Sequence, residues 1–551
     1  MIENDNGAAD SGRARPTDDG TGTSKERTAV TPTPDGAAVL RPTRPRLDAG
    51  SAGALAPGVR PMAGGRGSST GIVHIGLGAF HRAHQAVYTE AAMAASGDTS
   101  WGILGVNLRS SAVVEELRRQ DCLYTVLERD RDAARPRVVG SLRAAAHLPS
   151  EPGLVLDAIA APSTRIVTVT VTEKGYRTGA GRRLRIDDEV RADVEDAAAW
   201  AGGAANSRPP RTLPGLLLRG LQRRLAAGGA PLALASCDNI PASGKMLRAL
   251  LEDCCDLLPA AHSRPLLEYL DSAVGFPSSV VDRIVPATTD ADLAEVAAAL
   301  GAEDRAAVVA EPFSQWVVSD DFPAGRPDWE SAGVTFTDDV APYEQAKLRM
   351  LNASHSTLAY LGGLAGHDSI AGAVADPLLA EAARRLLAVD VIPVLTAPGG
   401  VNLDDYAATV LRRFANPALR HRTAQVAADG SQKVPIRLLG TVREQLEAGR
   451  TPEWAVLAVA AWLRYTVVGT SDDGRTLPVQ DPLAERLRAA AGPDGAEGSG
   501  SGLVSRLDAV LRATDVFGEE LREDPSFRAL LGEDLRLLAA HGVTGTLRRI
   551  L

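Results

Sequence analysis

GIVHIGLGAFHRAHQAVY, residues 71–88, is the stretch that decides the fold. Residues 71–76 form a short β-branched run suited to a strand. A glycine turn follows, and the helical stretch HRAHQAVYTEAAMAA occupies 81–95. The turn reads Gly76-Leu77-Gly78-Ala79-Phe80-His81. Two glycines permit a tight turn and let backbone amides approach a pyrophosphate at a helix N-terminus. Gly76, Gly78, Ala79 and Phe80 are therefore candidate dinucleotide-binding residues, in a fingerprint whose third glycine position holds His81. His81 and His84 are read as packing and polar contacts at the helix entry, since no carboxylate is spaced to join them as metal ligands.

The next strand candidate is WGILGVNL (101–108), followed by LYTVLE (123–128) and PRVVGSL (136–142). RIVTVTV (165–171) is almost continuously apolar, as a strand buried on both faces should be. LPGLLLRGLQRRLAA (213–227) is helical and PLALAS (231–236) is another buried strand. Strands alternating with helices predict a parallel α/β sheet of Rossmann type. Past about residue 340 the pattern is mainly helical, as in DPLLAEAARRLLAVD (376–390), EWAVLAVAAWLRYTV (453–467) and PSFRALLGEDLRLLAAHG (525–542). Residues 1–68 lack periodicity and are expected to be a disordered extension. AAGPDGAEGSGSG (490–502) reads as a surface loop. The expected organisation is thus an extension (1–68), a dinucleotide-binding α/β domain (69–337) and an α-helical substrate and catalytic domain (338–551).

A chain of 551 residues is too long for one core, which agrees with two domains. The formal net charge of −10 argues against nucleic-acid binding and suits a soluble protein handling small molecules. Four cysteines without a CxxC pair argue against a thiolate zinc site and for reduced thiols in the cytoplasm. The first residues have no apolar signal core, and no stretch is long and apolar enough to span a membrane.

The segment DDVAPYEQAKLRMLNASHSTLAYLGGLAG (338–366) carries the chemistry. On a helix turning about 100° per residue, with Lys347 at zero, His355 lies near 80° and Asn352 near 140°. One face then offers an amine, an imidazole and a carboxamide. Burial pulls an amine toward neutrality and makes it a general base. A carboxamide can hydrogen-bond a developing oxyanion. Together they suit proton removal from an alcohol whose carbon loses hydride. Tyr343 and Lys347 also match the Tyr-xxx-Lys pair of short-chain dehydrogenases, but the TGxxxGxG pattern of that family is absent.

Taken together, these motifs resemble the polyol-specific long-chain dehydrogenases, of mannitol dehydrogenase and fructuronate (mannonate) reductase type. The resemblance runs from about residue 71 to the end. It rests on GIVHIGLGAFHRAHQAVY (71–88), VTVTEKGY (169–176), SCDNIPASG (236–244), FPSSVVDRIVPATTD (276–290), EPFSQWVVSDDFPAGRPDWESAGV (311–334), KLRMLNASHS (347–356) and DGSQKVPIR (429–437). The resemblance implies a metal-free reaction with NAD or NADP and Lys347 as the general base. It implies that Asn239 and Asn352 flank the reacting oxygen, that His355 contacts substrate and that Glu344 helps move the proton to solvent. It also implies that Asp282 and Lys433 line the substrate site. The residues alone leave other roles open: a turn or cap for Asn239, a buried partner of Arg283 for Asp282, a surface amine for Lys433.

Two positions depart from the mannitol dehydrogenase pattern. Ser111 and Ala112 stand where NAD-specific mannitol enzymes have acidic residues, and with Arg109 nearby this leaves NADP open. Gln425 stands where mannitol enzymes have an arginine near the substrate. The expected activity is an NAD(P)-dependent interconversion of a secondary alcohol and its ketone, mannitol with fructose or mannonate with fructuronate. Mannitol 1-phosphate with fructose 6-phosphate is an alternative, and a non-catalytic nucleotide-binding protein a more remote one. The oligomeric state is left open.

Overall fold

The computed structural model describes residues 44–62, 69–203, 208–492 and 501–551. In chain order its strands are β1 (Thr70–Ile75), β2 (Gly102–Asn107), β3 (Tyr124–Arg129), β4 (Ala134–Val139), β5 (Leu142–His147), β6 (Ile166–Val169), β7 (Leu232–Ser236), β8 (Val274–Gly275), β9 (Ser279–Asp282), β10 (Val308–Ala310), β11 (Gln315–Val318) and β12 (Thr335–Phe336). The main sheet is parallel, in the order β5-β2-β1-β6-β7-β8. Ile72 of β1 packs into one layer and Val73 into the other, so both faces of the strand are covered and its sequence stays apolar throughout. The chain fills one side of β1 first and the other side afterwards. The strand order therefore reverses between β1 and β6, and the crevice at their carboxyl ends is where such sheets bind nucleotides.

Two expectations need correction. The strands at 124–129 and 134–139 do not extend the parallel sheet: β3 and β4 pair antiparallel as a hairpin, with β10 beside β3. Their short polar connection, residues 130–133, allows a hairpin but no crossover. The expected disorder through residue 68 does not hold for 44–62. Leu47 N–H donates to the Glu303 carbonyl (2.8 Å) and Val138 N–H to the Val59 carbonyl (2.8 Å). Leu47 and Leu55 are buried with Leu127, Val138 and Val309, enough apolar area to offset the ordering entropy. Residues 1–43 and 63–68 lie outside the described residues, as does most of the expected loop at 490–502.

After β12 the described residues are helical apart from isolated bridges. The helix Glu453–Val468 is buried from Trp454 to Val468, apolar all round because neighbours surround it. Ala353–Leu364 and Pro525–Ile550 pack against it. Three segments of this half widen into π-helix: Lys347–Asn352, Leu386–Val391 and Pro435–Leu439. Among the described residues no helix is long and apolar enough to cross a membrane.

Candidate active site

The glycine turn follows β1. Gly76 has φ +102°, and a Cβ there would overlap the Thr170 carbonyl just beyond β6, so only glycine fits. His74 fastens this corner: one ring nitrogen meets Thr168 Oγ1 at 2.8 Å and the other meets the Gly76 carbonyl at 3.0 Å. Burial lowers the His74 pKa to about 3, so the ring is neutral. His81 stacks on it with centroids 3.3 Å apart, filling the space of the third fingerprint glycine. Gly78 caps the short helix Ala79–Ala83, and Phe80 reaches the cavity that Lys347 lines. Arg109 lines a cleft of ≈ 660 Å³ beyond β2, together with Lys174 and Arg211. Ser111 Oγ donates to Glu115 Oε1 at 2.6 Å, which places a carboxylate one helical turn beyond the position where the sequence lacks one.

A second cavity, ≈ 440 Å³, lies between the two halves and is lined by Asn239, Asp282, Lys347, Asn352, His355 and Gln425 among others. Lys347 opens the π-helical segment. Bonding from i to i+5 in such a segment brings residues five apart toward one side. Asn352 thus comes nearer to Lys347 than the 140° of a regular helical wheel. The Lys347 amine is buried and donates to Asn239 Oδ1 and to the Val281 carbonyl. Burial lowers its pKa to about 8; Asp282 pulls upward, while Arg413 and Arg437 add to the lowering. With two positions on Nζ used, the third is an N–H when the amine is charged and a lone pair when it is neutral. Asn239 accepts through Oδ1, which leaves its amide N–H groups for a ligand oxygen.

His355 stacks on Phe414 (4.6 Å) and meets His421 edge-on (4.7 Å). Its Nε2 is buried without a protein partner, and burial pushes its pKa well below the usual imidazole range. Glu344 is half-buried, accepts from Ala242 N–H at 3.0 Å, and shares a small adjoining cavity with Lys347 and Asn239. Burial raises its pKa.

Asp282 is not the partner of Arg283. It binds Arg413 through both oxygens (2.6 and 3.0 Å), and Arg413 also holds Glu311 (3.0 and 2.7 Å). Burial alone would raise the Asp282 pKa; Arg413 and Lys347 outweigh it and hold the carboxyl below its usual value. Lys433 is not among the cavity residues. Its amine donates to the carbonyls of Ala428 (2.5 Å) and Val426 (3.3 Å), fixing the turn beside the site. Sequence reasoning missed Arg413, since an Arg-Arg pair near a helix C-terminus reads as a solvated response to the helix dipole. It also missed Arg420 and Arg422 at the cavity. Tyr343 donates to the Gly399 carbonyl at 2.9 Å and does not line the cavity. Among the described residues no group of three or more His, Cys, Asp or Glu is arranged to hold a metal ion.

Residues 70–331 match the family described as mannitol dehydrogenase Rossmann domain, and residues 339–538 match the mannitol dehydrogenase C-terminal domain. The D-mannonate oxidoreductase of Escherichia coli is 40% identical over 464 residues, 83% of this chain and 90% of that protein. The mannitol 2-dehydrogenase of Phaeosphaeria nodorum is 36% identical, covering 87% of this chain and 81% of that one. The solved Pseudomonas fluorescens mannitol 2-dehydrogenase, a ternary complex with NAD and D-mannitol, superposes with a TM-score of 0.78 at 34% identity, over 92% of this chain and 99% of that one. On its sequence, its sheet order and the side chains gathered around Lys347, this chain belongs to the mannitol dehydrogenase family.

Proposed function

We propose that the chain is an NAD-dependent oxidoreductase that interconverts a secondary alcohol of a polyol or sugar acid with its ketone, with Lys347 as the general base. The observation that carries this reading is the buried Lys347 amine, bonded to Asn239 and Val281 and facing one cavity with Asn352 and His355. The nicotinamide, when bound, accepts or returns the hydride. Gly76, Gly78, Ala79 and Phe80 would hold the pyrophosphate side of the cofactor, with Gly76 making the tight turn that its positive φ and the nearby Thr170 carbonyl reserve for glycine. Arg109 and Ser111 would face the adenosine ribose. Exposed Arg109 also makes NADP acceptable, whereas Glu115 beside Ser111 favours NAD.

In oxidation, neutral Lys347 takes the hydroxyl proton on its lone pair. The amide N–H groups of Asn239 and Asn352 then stabilise the oxygen as negative charge gathers on it. Neutral His355 fixes a neighbouring hydroxyl through Nε2. Glu344 relays the proton outward from the adjoining cavity. Asp282, neutralised by Arg413, tempers how far the Lys347 pKa falls. The amine and two amides do the work a Lewis acid does elsewhere, so this reading needs no metal. Four free, buried cysteines support a reducing, cytoplasmic setting for it.

The test is NADH formation from a panel of neutral polyols and sugar acids, each measured from pH 6 to 10. Oxidation should rise through one ionisation near the Lys347 pKa of about 8, because the base must be neutral to accept a proton. Ketone reduction should fall through the same ionisation. No turnover of any member with either nicotinamide cofactor would overturn the reading.

A further inference from the structure

We propose that Arg420 and Arg422 select an anionic substrate, a polyhydroxy carboxylate, by holding its carboxylate at the end remote from Lys347. This rests on the dehydrogenase reading of the same cavity and decides between its two substrate classes.

The charges lining the cavity do not cancel. Arg129 is paired with Asp292 (2.6 Å) and with Glu295, Arg283 with Glu128 (2.7 Å), and Asp282 with Arg413. Beside Lys347, Arg420 and Arg422 remain: both are exposed, among the described residues neither guanidinium has a hydrogen-bond or ion-pair partner, and both line the cavity. No acidic residue of the cavity is left to meet them. A neutral polyol gives two guanidinium groups nothing to neutralise. A carboxylate offers each of them a charge-assisted and potentially bidentate bond.

The backbone that carries them is fixed. Arg420 lies in the left-handed region (φ 48°), capping the turn Pro417–Leu419 where glycine or asparagine would be cheaper. The next residues are clamped to a neighbouring loop: Ile370 N–H donates to the His421 carbonyl (2.9 Å) and Thr423 N–H to the Asp368 carbonyl (3.1 Å). The backbone that offers the two guanidiniums is thus tied down on either side, and the ordering left to binding is that of the two side chains. His355 meets His421 of this segment edge-on, its buried Nε2 has no protein partner, and it lines the same cavity as Lys347. A substrate hydroxyl would supply that partner, leaving the chain's acid end toward the arginines and its carbinol toward the amine.

The test is calorimetric binding, to the NADH complex of the full chain, of an aldonate, the alditol of equal carbon number and the alditol phosphate. The aldonate should bind at least about 100-fold more tightly than the alditol, with an advantage that shrinks as salt rises. In R420Q/R422Q that ratio should fall to within a few-fold of one, and R420K/R422K should recover part of it. Equal binding of acid and alditol by the unmodified protein would overturn the proposal, as would an unchanged ratio in R420Q/R422Q. Tighter binding of the phosphate ester than of the acid would overturn the carboxylate assignment. Binding is read without turnover. An aldonate that binds selectively but is never oxidised would therefore sink the dehydrogenase reading and leave the anion site standing.

Discussion

The two halves of the molecule position polar groups in opposite ways. The α/β half puts its left-handed backbone in the loops between its strands and helices, at Gly76, Thr172, Arg177 and Arg182 among others. The helical half has few such loops at its site and breaks the helix itself. Each of its three π segments sets a polar group into an apolar interior. The first carries Lys347 and Asn352. The second carries Asp390, whose carboxylate accepts from the N–H groups of Trp454 and Ala455 (2.8 and 2.7 Å) at the start of the central helix. The third carries Arg437, which donates to Ser356 Oγ at 2.9 Å. A strand ends where its loop begins, so a loop can aim a side chain without disturbing the sheet. A long buried helix has no such end, and one extra residue in a turn is the local way to re-aim its side chains.

The comparison can be broken at its strongest point first. Lys347→Ala should lower turnover by about 10²–10⁴-fold, the usual span of general base catalysis, and abolish the ionisation near 8. NADH binding should change little, because the glycine turn lies on the other half. Near-normal turnover with an unchanged pH profile would remove the lysine from the chemistry.

On the α/β side the expected effects are smaller and fall on cofactor binding. Gly76→Ala meets the Thr170 carbonyl and a positive φ, at a cost of about 1–3 kcal/mol. The Kd for NADH should rise about ten-fold or more; an unchanged Kd would detach the turn from the nucleotide. The last test concerns Asp390, whose pKa burial raises to about 7. A carboxyl whose folded pKa exceeds its unfolded value stabilises fully below pH 4 and loses that contribution as pH rises through 7. Asp390→Asn keeps an acceptor for the two N–H groups and cannot ionise. Its urea-unfolding free energy should be flatter between pH 5 and 8 than that of the unmodified protein, by about 2–3 kcal/mol. Parallel profiles would show that Asp390 does not titrate in that range.

The same contrast explains what the sequence could tell. The runs at 71–76, 165–171 and 231–236 are strands of the main sheet because burial on both faces leaves an unbroken apolar signal. β5 left none, since half of LRAAAH is alanine, a helix former that is depleted in strands. Lys347, Asn352, His355 and Asn239 share one cavity, as the motifs implied, but the wheel misjudged their angles because a π segment has no mark in sequence. Lys433 does not line that cavity, since its amine is spent on nearby carbonyls, but its charge still acts on His355 and His421. Arg413 was invisible for a different reason. Its two carboxylate partners lie 131 and 102 residues away, and only the folded chain brings them together.

That three-charge cluster also sets the register between the halves. Arg413 comes from the helical half, Asp282 and Glu311 from the α/β half, and all three are buried. Asp282 follows Val281, whose carbonyl accepts from the Lys347 amine, so the pairing seats that nitrogen and the strand that holds it as one unit. Parting the halves would bare the three charges to water rather than leave them buried and alone, so the cluster contributes alignment more than net stability.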